Sequence, residues 1–254
     1  MFRFLFLCAL MAGFSMSSYA QQGKQYYELR EYKVKEGADT ESLDRYLSGA
    51  LLPALNRMGI KTVGLFRTDE DSDSVSRFVL IPLAGAADVA AVAVKLAEDE
   101  EFAEAASSYL QTDPSSPVID RLRSELLVAF DVQPQLNIPE ICKTKASRIF
   151  ELRTYESATE LRGDLKVEMF NSGEVPIFLD CGIEPIFFGQ AIVGERMPNL
   201  TYMTVYADED AKVEAWKKFR EHPDWKVLSG NKRYAKTVSK IAKWNLLPME
   251  ASQL

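Results

Sequence analysis

The stretch that decides the fold is Tyr27-Glu28-Leu29-Arg30-Glu31-Tyr32, because the chain repeats it as Phe150-Glu151-Leu152-Arg153-Thr154-Tyr155. The shift between the two copies is 123 residues (150 − 27). Further positions match at that shift without a gap: Pro53 and Pro176, Gly59 and Gly182, Ile60 and Ile183. Self-similarity at one fixed offset indicates that the chain contains an internal duplication.

Each copy predicts the same order of elements, β-α-β-β-α-β, from its apolar periodicity. In the first copy we expect strands over 26–34, 61–68, 75–82 and 125–131, and helices over 39–57 and 86–110. In the second copy we expect strands over 148–155, 183–193, 199–206 and 236–247, and helices over 159–180 and 208–221. This order predicts an α+β fold with two tandem ferredoxin-like domains. The predicted domains are 24–131 and 148–254, with a proline-containing linker over 132–147.

The first 20 residues have the features of a signal peptide that is removed on export. Arg3 precedes an apolar run over 4–12, and Ser18 and Ala20 are small residues at the positions that determine cleavage. We therefore expect cleavage after Ala20 and a periplasmic or secreted protein. The apolar run is too short to span a bilayer, and no later segment is apolar for long enough to do so.

Acidic residues outnumber basic ones, 37 against 30, so the net charge is −7, or −8 (29 − 37) once Arg3 is removed. An acidic chain without basic blocks is not typical of nucleic-acid-binding proteins. The partners we expect are a small-molecule ligand and, at most, a second copy of the chain.

Few residues are available for metal or thiol chemistry. Cys142 and Cys181 remain after the signal peptide, and the sequence leaves open whether they form a disulfide or stay free thiols. With His222 as the single histidine and no CxxC pair, we expect no metal site. The sequence also lacks a P-loop, a GxGxxG strand–helix turn and a GxSxG elbow, so no cofactor is predicted.

The repeated strand and the later His222-Pro223-Asp224-Trp225 resemble the opening strand and second-helix junction of NIPSNAP domains. The first copy has Phe102 where the second has Trp225. The resemblance implies that two ferredoxin-like sheets pack face to face as a dimeric α/β barrel, either within one chain or between two chains. The same superfamily includes monooxygenases, haem-degrading enzymes and proteins without an established reaction, so the fold alone carries little function.

Strand alternation places the repeated residues in two rows. Tyr27 and Leu29, with Phe150 and Leu152, form an apolar row that we expect to face the helices. The polar row would then point between the sheets; its members are Glu28, Arg30 and Tyr32, with Glu151, Arg153 and Tyr155. Such a row is either a paired polar layer that fixes how the sheets dock or the wall of a ligand pocket.

Three hypotheses of function follow. The first is a binding module that holds a small, partly apolar ligand between the sheets through Arg30 and Arg153. The second is a structural or interaction protein in which these rows serve only docking. The third is a monooxygenase-like or isomerase-like enzyme, for which His222 is the candidate acid or base; a capping or solvated role for this histidine is the alternative.

Overall fold

The computed structural model describes residues 23–69, 74–145 and 147–254, and the predicted signal peptide lies outside these ranges. Eight antiparallel strands form a closed barrel. They are β1 (Tyr26–Val34), β2 (Gly64–Thr68), β3 (Ser76–Leu83), β4 (Ile119–Ala129), β5 (Ile149–Glu156), β6 (Glu184–Val193), β7 (Asn199–Tyr206) and β8 (Lys240–Pro248). The α+β class is therefore confirmed.

The two halves of the chain contribute four strands each in the same order. The first half runs β4-β1-β3-β2 and the second half β8-β5-β7-β6, which is the ferredoxin-like strand order in both. The halves join at two seams, where β2 pairs with β8 and β4 pairs with β6. The barrel thus closes within one chain, because the edge strands of one half pair with those of the other. The division into two separate domains stays a prediction.

Helices cover the outside of the barrel. Those of the first half are α1 (Glu41–Arg45), a π-helical segment (Tyr46–Leu51), α2 (Leu52–Arg57), α3 (Asp88–Glu98) and α4 (Glu100–Leu110). A short α5 (Glu140–Lys143) follows in the predicted linker. Those of the second half are α6 (Glu160–Met169), a π-helical segment (Phe170–Glu174), α7 (Val175–Asp180), α8 (Glu209–Glu221), α9 (Pro223–Ser229) and a single 3-10 turn (Lys232–Tyr234).

Several element boundaries differ from the sequence-based ones for local reasons. The helix expected over 86–110 is broken at Asp99, whose extended backbone and side-chain cap on the Phe102 N–H start α4. Strand β4 begins at Ile119, six residues before the predicted start at Glu125 (125 − 119). Among the described residues, no helix is long and apolar enough to cross a membrane.

Three clusters of buried apolar side chains hold the molecule together. One fills the barrel and includes Tyr27, Leu29, Phe150 and Leu152. The other two lie between the barrel and the helices, one in each half. Cys142 is buried in the barrel cluster and Cys181 in the outer cluster of the second half, and both are free thiols.

Candidate ligand-binding groove

The polar rows of the repeated strand lie outside the barrel, beneath the helices. Tyr32 packs 6.3 Å from the ring of Tyr46, and Glu151 accepts a hydrogen bond of 2.8 Å from the Trp216 indole of α8. The expectation that Glu28, Arg30 and Tyr32, with Glu151, Arg153 and Tyr155, point between the sheets is therefore wrong.

The apolar row fills the barrel instead, and this explains the inversion. Tyr27 lies 5.0 Å from the Phe187 ring, and Phe150 lies 4.8 Å from the Phe66 ring. An eight-stranded barrel leaves an interior just wide enough for side chains. Charged groups also face the small cavity inside it, where Glu31 is paired with Arg123 at 3.0 Å. Under the helices the polar side chains are mostly buried and are satisfied by protein partners, as Glu28 is by Arg30 and Glu151 by Trp216.

The small cavity inside the barrel is too small for an organic ligand. That cavity, of about 20 Å³, is lined by Leu29, Phe78, Leu152, Thr154 and Trp244 and by four charged side chains: Glu31, Arg123, Glu125 and Arg196. A space of this size holds about one water molecule.

A larger groove opens on the outer face of the second half, between β5, β8, α8 and α9. It has a volume of about 370 Å³, which is within the range of small-molecule sites. Its lining combines aromatic and cationic side chains: Arg153, Tyr155, Lys212, Trp216, Phe219, Arg220, Trp225 and Lys243, with Glu151 as the single acid. The groove thus combines apolar surface with positive charge, on a chain that is acidic overall.

The aromatic wall is continuous because α8 and α9 meet at a sharp break. Pro223 opens α9, and the Trp225 ring packs against Phe219 at a tilt of 37°, with ring centroids 4.4 Å apart. Phe219 in turn contacts Trp216 at 5.4 Å. Trp216 and Trp225 therefore both line the groove.

Arg153 lies at the floor of the groove, with 12% of its side chain exposed. Its guanidinium carbon lies 4.3 Å from the centre of the Trp216 ring and 5.5 Å from that of Tyr155. Its Nη1 is 3.9 Å from Glu151, which is beyond hydrogen-bond distance. Within the described ranges, the buried Arg153 Nε has no hydrogen-bond partner. An arginine held by its face, with its Nε lacking a hydrogen bond, is suited to bind an added acceptor.

A buried ion pair lies behind the groove, and the sequence-based reasoning missed it. Lys166 Nζ donates to Glu174 at 2.6 Å, and both side chains are almost completely buried. The ammonium lies 4.6 Å from the Phe170 ring and 5.7 Å from the Trp225 ring. Burial raises the pKa of Glu174, and Lys166 opposes that rise. Comparing the copies would have found this pair, because Leu43 and Leu51 occupy the same positions 123 residues earlier.

Two tyrosines continue this polar cluster towards the barrel. The hydroxyls of Tyr155 and Tyr202 are 2.9 Å apart, and burial raises the pKa of Tyr155 to about 12. Tyr202 and Tyr206 both belong to the outer cluster, so this face of β7 looks towards the helices. Of the paired phenylalanines, Phe187 enters the barrel and Phe188 the outer cluster, as alternation predicts.

His222 caps α9 and is not among the residues that line the groove. Its Nδ1 accepts the Asp224 N–H at 3.2 Å. Its geometry thus matches the capping alternative, and its proposed role as an acid or base stays untested. Among the described residues, no three His, Cys, Asp or Glu side chains come close enough to hold a metal ion.

Comparisons with known proteins identify the second half most directly. The NIPSNAP family model matches residues 150–253. A NIPSNAP family protein from Agrobacterium tumefaciens is 17% identical, and the match covers 41% of this chain and 94% of that one with a TM-score of 0.37. No curated protein matches the sequence significantly.

Solved structures also match the whole barrel. A provisionally assigned monooxygenase from Fusobacterium nucleatum is 11% identical, with 90% of this chain and 94% of that chain covered and a TM-score of 0.55. Another from Lactobacillus acidophilus is also 11% identical, with 89% and 94% covered and a TM-score of 0.55. At this identity the likeness concerns the fold alone. The second half of the chain, which carries the groove, is therefore a NIPSNAP domain.

Proposed function

We propose that this protein binds a small, partly apolar organic ligand in the groove of its second half, not between the sheets. The observation that carries the proposal is Arg153, which is stacked on Trp216 and makes no hydrogen bond to Glu151, 3.9 Å away. The aromatic wall offers apolar contact, and the surrounding cations favour an electron-rich group on the ligand.

Export is part of this proposal. The predicted signal peptide would place the groove in the periplasm or outside the cell, where it would collect its ligand.

The alternatives are a structural role without a ligand and a monooxygenase-like or isomerase-like enzyme. The monooxygenase names of the structural relatives support the enzyme hypothesis only through the shared fold. His222, the candidate acid or base, does not line the groove. The oligomeric state, a monomer or a homodimer, is left to the same experiment.

Native mass spectrometry of the full-length gene product from an export-competent bacterial host tests the proposal. We expect a co-purified small molecule on the wild type that is lost in Arg153→Met. The matched control is the double variant Glu28→Gln/Arg30→Met, which removes the equivalent residues of the first half without leaving a buried charge unpaired. It should keep the molecule.

Two results would overturn the proposal. One is a molecule that Arg153→Met retains and the first-half control loses. The other is a protein that carries no molecule and whose tryptophan fluorescence is unaffected by a panel of aromatic acids, amides and amines. The measured mass also gives the oligomeric state, and the N-terminus of the product shows whether cleavage occurs after Ala20.

A further inference from the structure

The first half shows which group an arginine at this strand position binds. Arg30 donates from Nε to Glu28 Oε1 at 2.7 Å and from Nη2 to Glu28 Oε2 at 3.0 Å. Ser124 of β4 holds the same carboxylate through a hydrogen bond of 2.8 Å. The edge of the guanidinium therefore matches the two oxygens of one carboxylate, a geometry that is stronger than a single hydrogen bond.

The second half has the same pair of residues but not the same pairing. Glu151 bonds the Trp216 indole at 2.8 Å and stays 3.9 Å from Arg153. The position 123 residues before Trp216 is Ala93, which has no donor to offer Glu28. The tryptophan therefore takes the carboxylate away from the arginine, and a site for a second carboxylate is left at Arg153.

The charges around Arg153 favour a ligand with one negative charge. Arg220 and Lys243 add positive charge at the rim, while Lys212 is neutralised by Glu209 at 2.7 Å. Glu151, 3.9 Å from Arg153, repels any anion that binds there. A dianion such as a phosphate ester would meet this repulsion twice over, and a neutral group would gain little from the surrounding cations.

The rings beside Arg153 favour a planar ligand. Trp216, Phe219 and Trp225 form one aromatic wall in a groove of about 370 Å³. A flat ring offers such a wall more contact than a flexible chain and loses less conformational entropy on binding. We infer that the groove takes aromatic monocarboxylates, with the carboxylate on the Arg153 guanidinium and the ring against the tryptophans. This inference rests on the proposed function and names the ligand class.

Isothermal titration calorimetry of the full chain with matched probes tests the inference. The probes are 2-naphthoate, its neutral amide, the corresponding naphthylmethylamine, and octanoate as a non-planar carboxylate. We expect 2-naphthoate to bind at least about tenfold more tightly than the amide, because its hydrogen bonds are charge-assisted. It should also bind more tightly than octanoate, and the amine should not bind.

Variants of the two arginines place the carboxylate. Arg153→Lys keeps the charge but loses the planar edge of the guanidinium. It should therefore weaken the binding of 2-naphthoate and leave the affinity for the amide unchanged. Glu28→Gln/Arg30→Met should change neither of these two affinities. Equal binding of acid and amide would overturn the carboxylate inference while the groove remains a binding site. Equal binding of octanoate would overturn the aromatic part. If none of the probes binds, the ligand class is wrong, and a molecule co-purified in the mass-spectrometry experiment would still support the proposed function.

Discussion

The two halves of the barrel begin with nearly the same six residues but use them differently. In the first half, Arg30 and Glu28 close on each other at 2.7 Å, and the helices above them are packed through aliphatic residues such as Leu43 and Leu51. In the second half, Arg153 and Glu151 are held apart, and Lys166 and Glu174 occupy the positions of those leucines. The two halves thus share the strands of the barrel and differ in the side chains beneath their helices, which form the polar groove only in the second half.

Breaking the buried pair should have the largest effect. Lys166→Leu or Glu174→Leu alone leaves one charge buried without a partner, so we expect a loss of about 3–5 kcal/mol in the free energy of unfolding. The double variant copies Leu43 and Leu51 of the first half and should recover most or all of that stability. Urea denaturation measures all three proteins.

An exposed pair of the same region is the control for this cycle. Arg233 binds Glu168 at 2.6 Å, but both side chains are well exposed. Arg233→Ala should therefore cost no more than about 1 kcal/mol. The comparison of the halves fails if the double leucine variant is as unstable as the single variants.

Alkaline pH should destabilise the protein through tyrosines of both halves. Burial raises the pKa of Tyr109 and of Tyr155 to about 12, against roughly 10 in the unfolded chain. Between these values the unfolded state binds fewer protons than the folded state, so stability falls as pH rises from about 10 to about 12. The buried Tyr155 should contribute up to about 1.4 kcal/mol per pH unit in that window.

Denaturation at pH 8, 10 and 11 measures this loss, and Tyr155→Phe should make the decline shallower. A free energy of unfolding that is the same at pH 8 and pH 11 would show that these hydroxyls are not shielded as the structure has them.

Replacing Tyr202 tests the polar cluster more gently. Tyr202→Phe leaves the buried Tyr155 hydroxyl without its partner at 2.9 Å, and we expect a loss of about 1–3 kcal/mol. In the first half, Val79 lies opposite Arg30 where Tyr202 lies opposite Arg153. The double variant Tyr155→Phe/Tyr202→Phe should recover part of the loss. Stability that is unchanged in the single variant contradicts the account.

Trp216→Phe should give the smallest effect on the protein. It tests whether the Trp216 indole keeps Glu151 from binding Arg153. The ring remains, but Glu151 loses the indole donor and should turn to Arg153, as Glu28 does to Arg30. We expect binding of 2-naphthoate to weaken by roughly tenfold, because the internal carboxylate now competes with the ligand. Trp225→Phe, which does not touch Glu151, is the control and should change affinity less.

The sequence predicted the elements better than it predicted the faces. The bounds of β1 and β7 were predicted to the residue, because alternation and turn residues mark them locally. The predicted direction of the two rows was wrong. Tyr32 and Tyr155 allow the polar row to pack under the helices. Only closure of the barrel decides which row lies inside it. Lys212 and Lys243 come to Arg153 from distant elements, and single-sequence patterns do not report such proximity.

The most direct test of the account uses the three tryptophans of the chain. Trp216 and Trp225 line the groove, whereas Trp244 lines the small cavity between the sheets. In ¹H–¹⁵N spectra recorded while 2-naphthoate is added, the indole N–H signals of Trp216 and Trp225 should shift and that of Trp244 should stay in place. A shift of the Trp244 signal alone would place the ligand between the sheets and contradict the account.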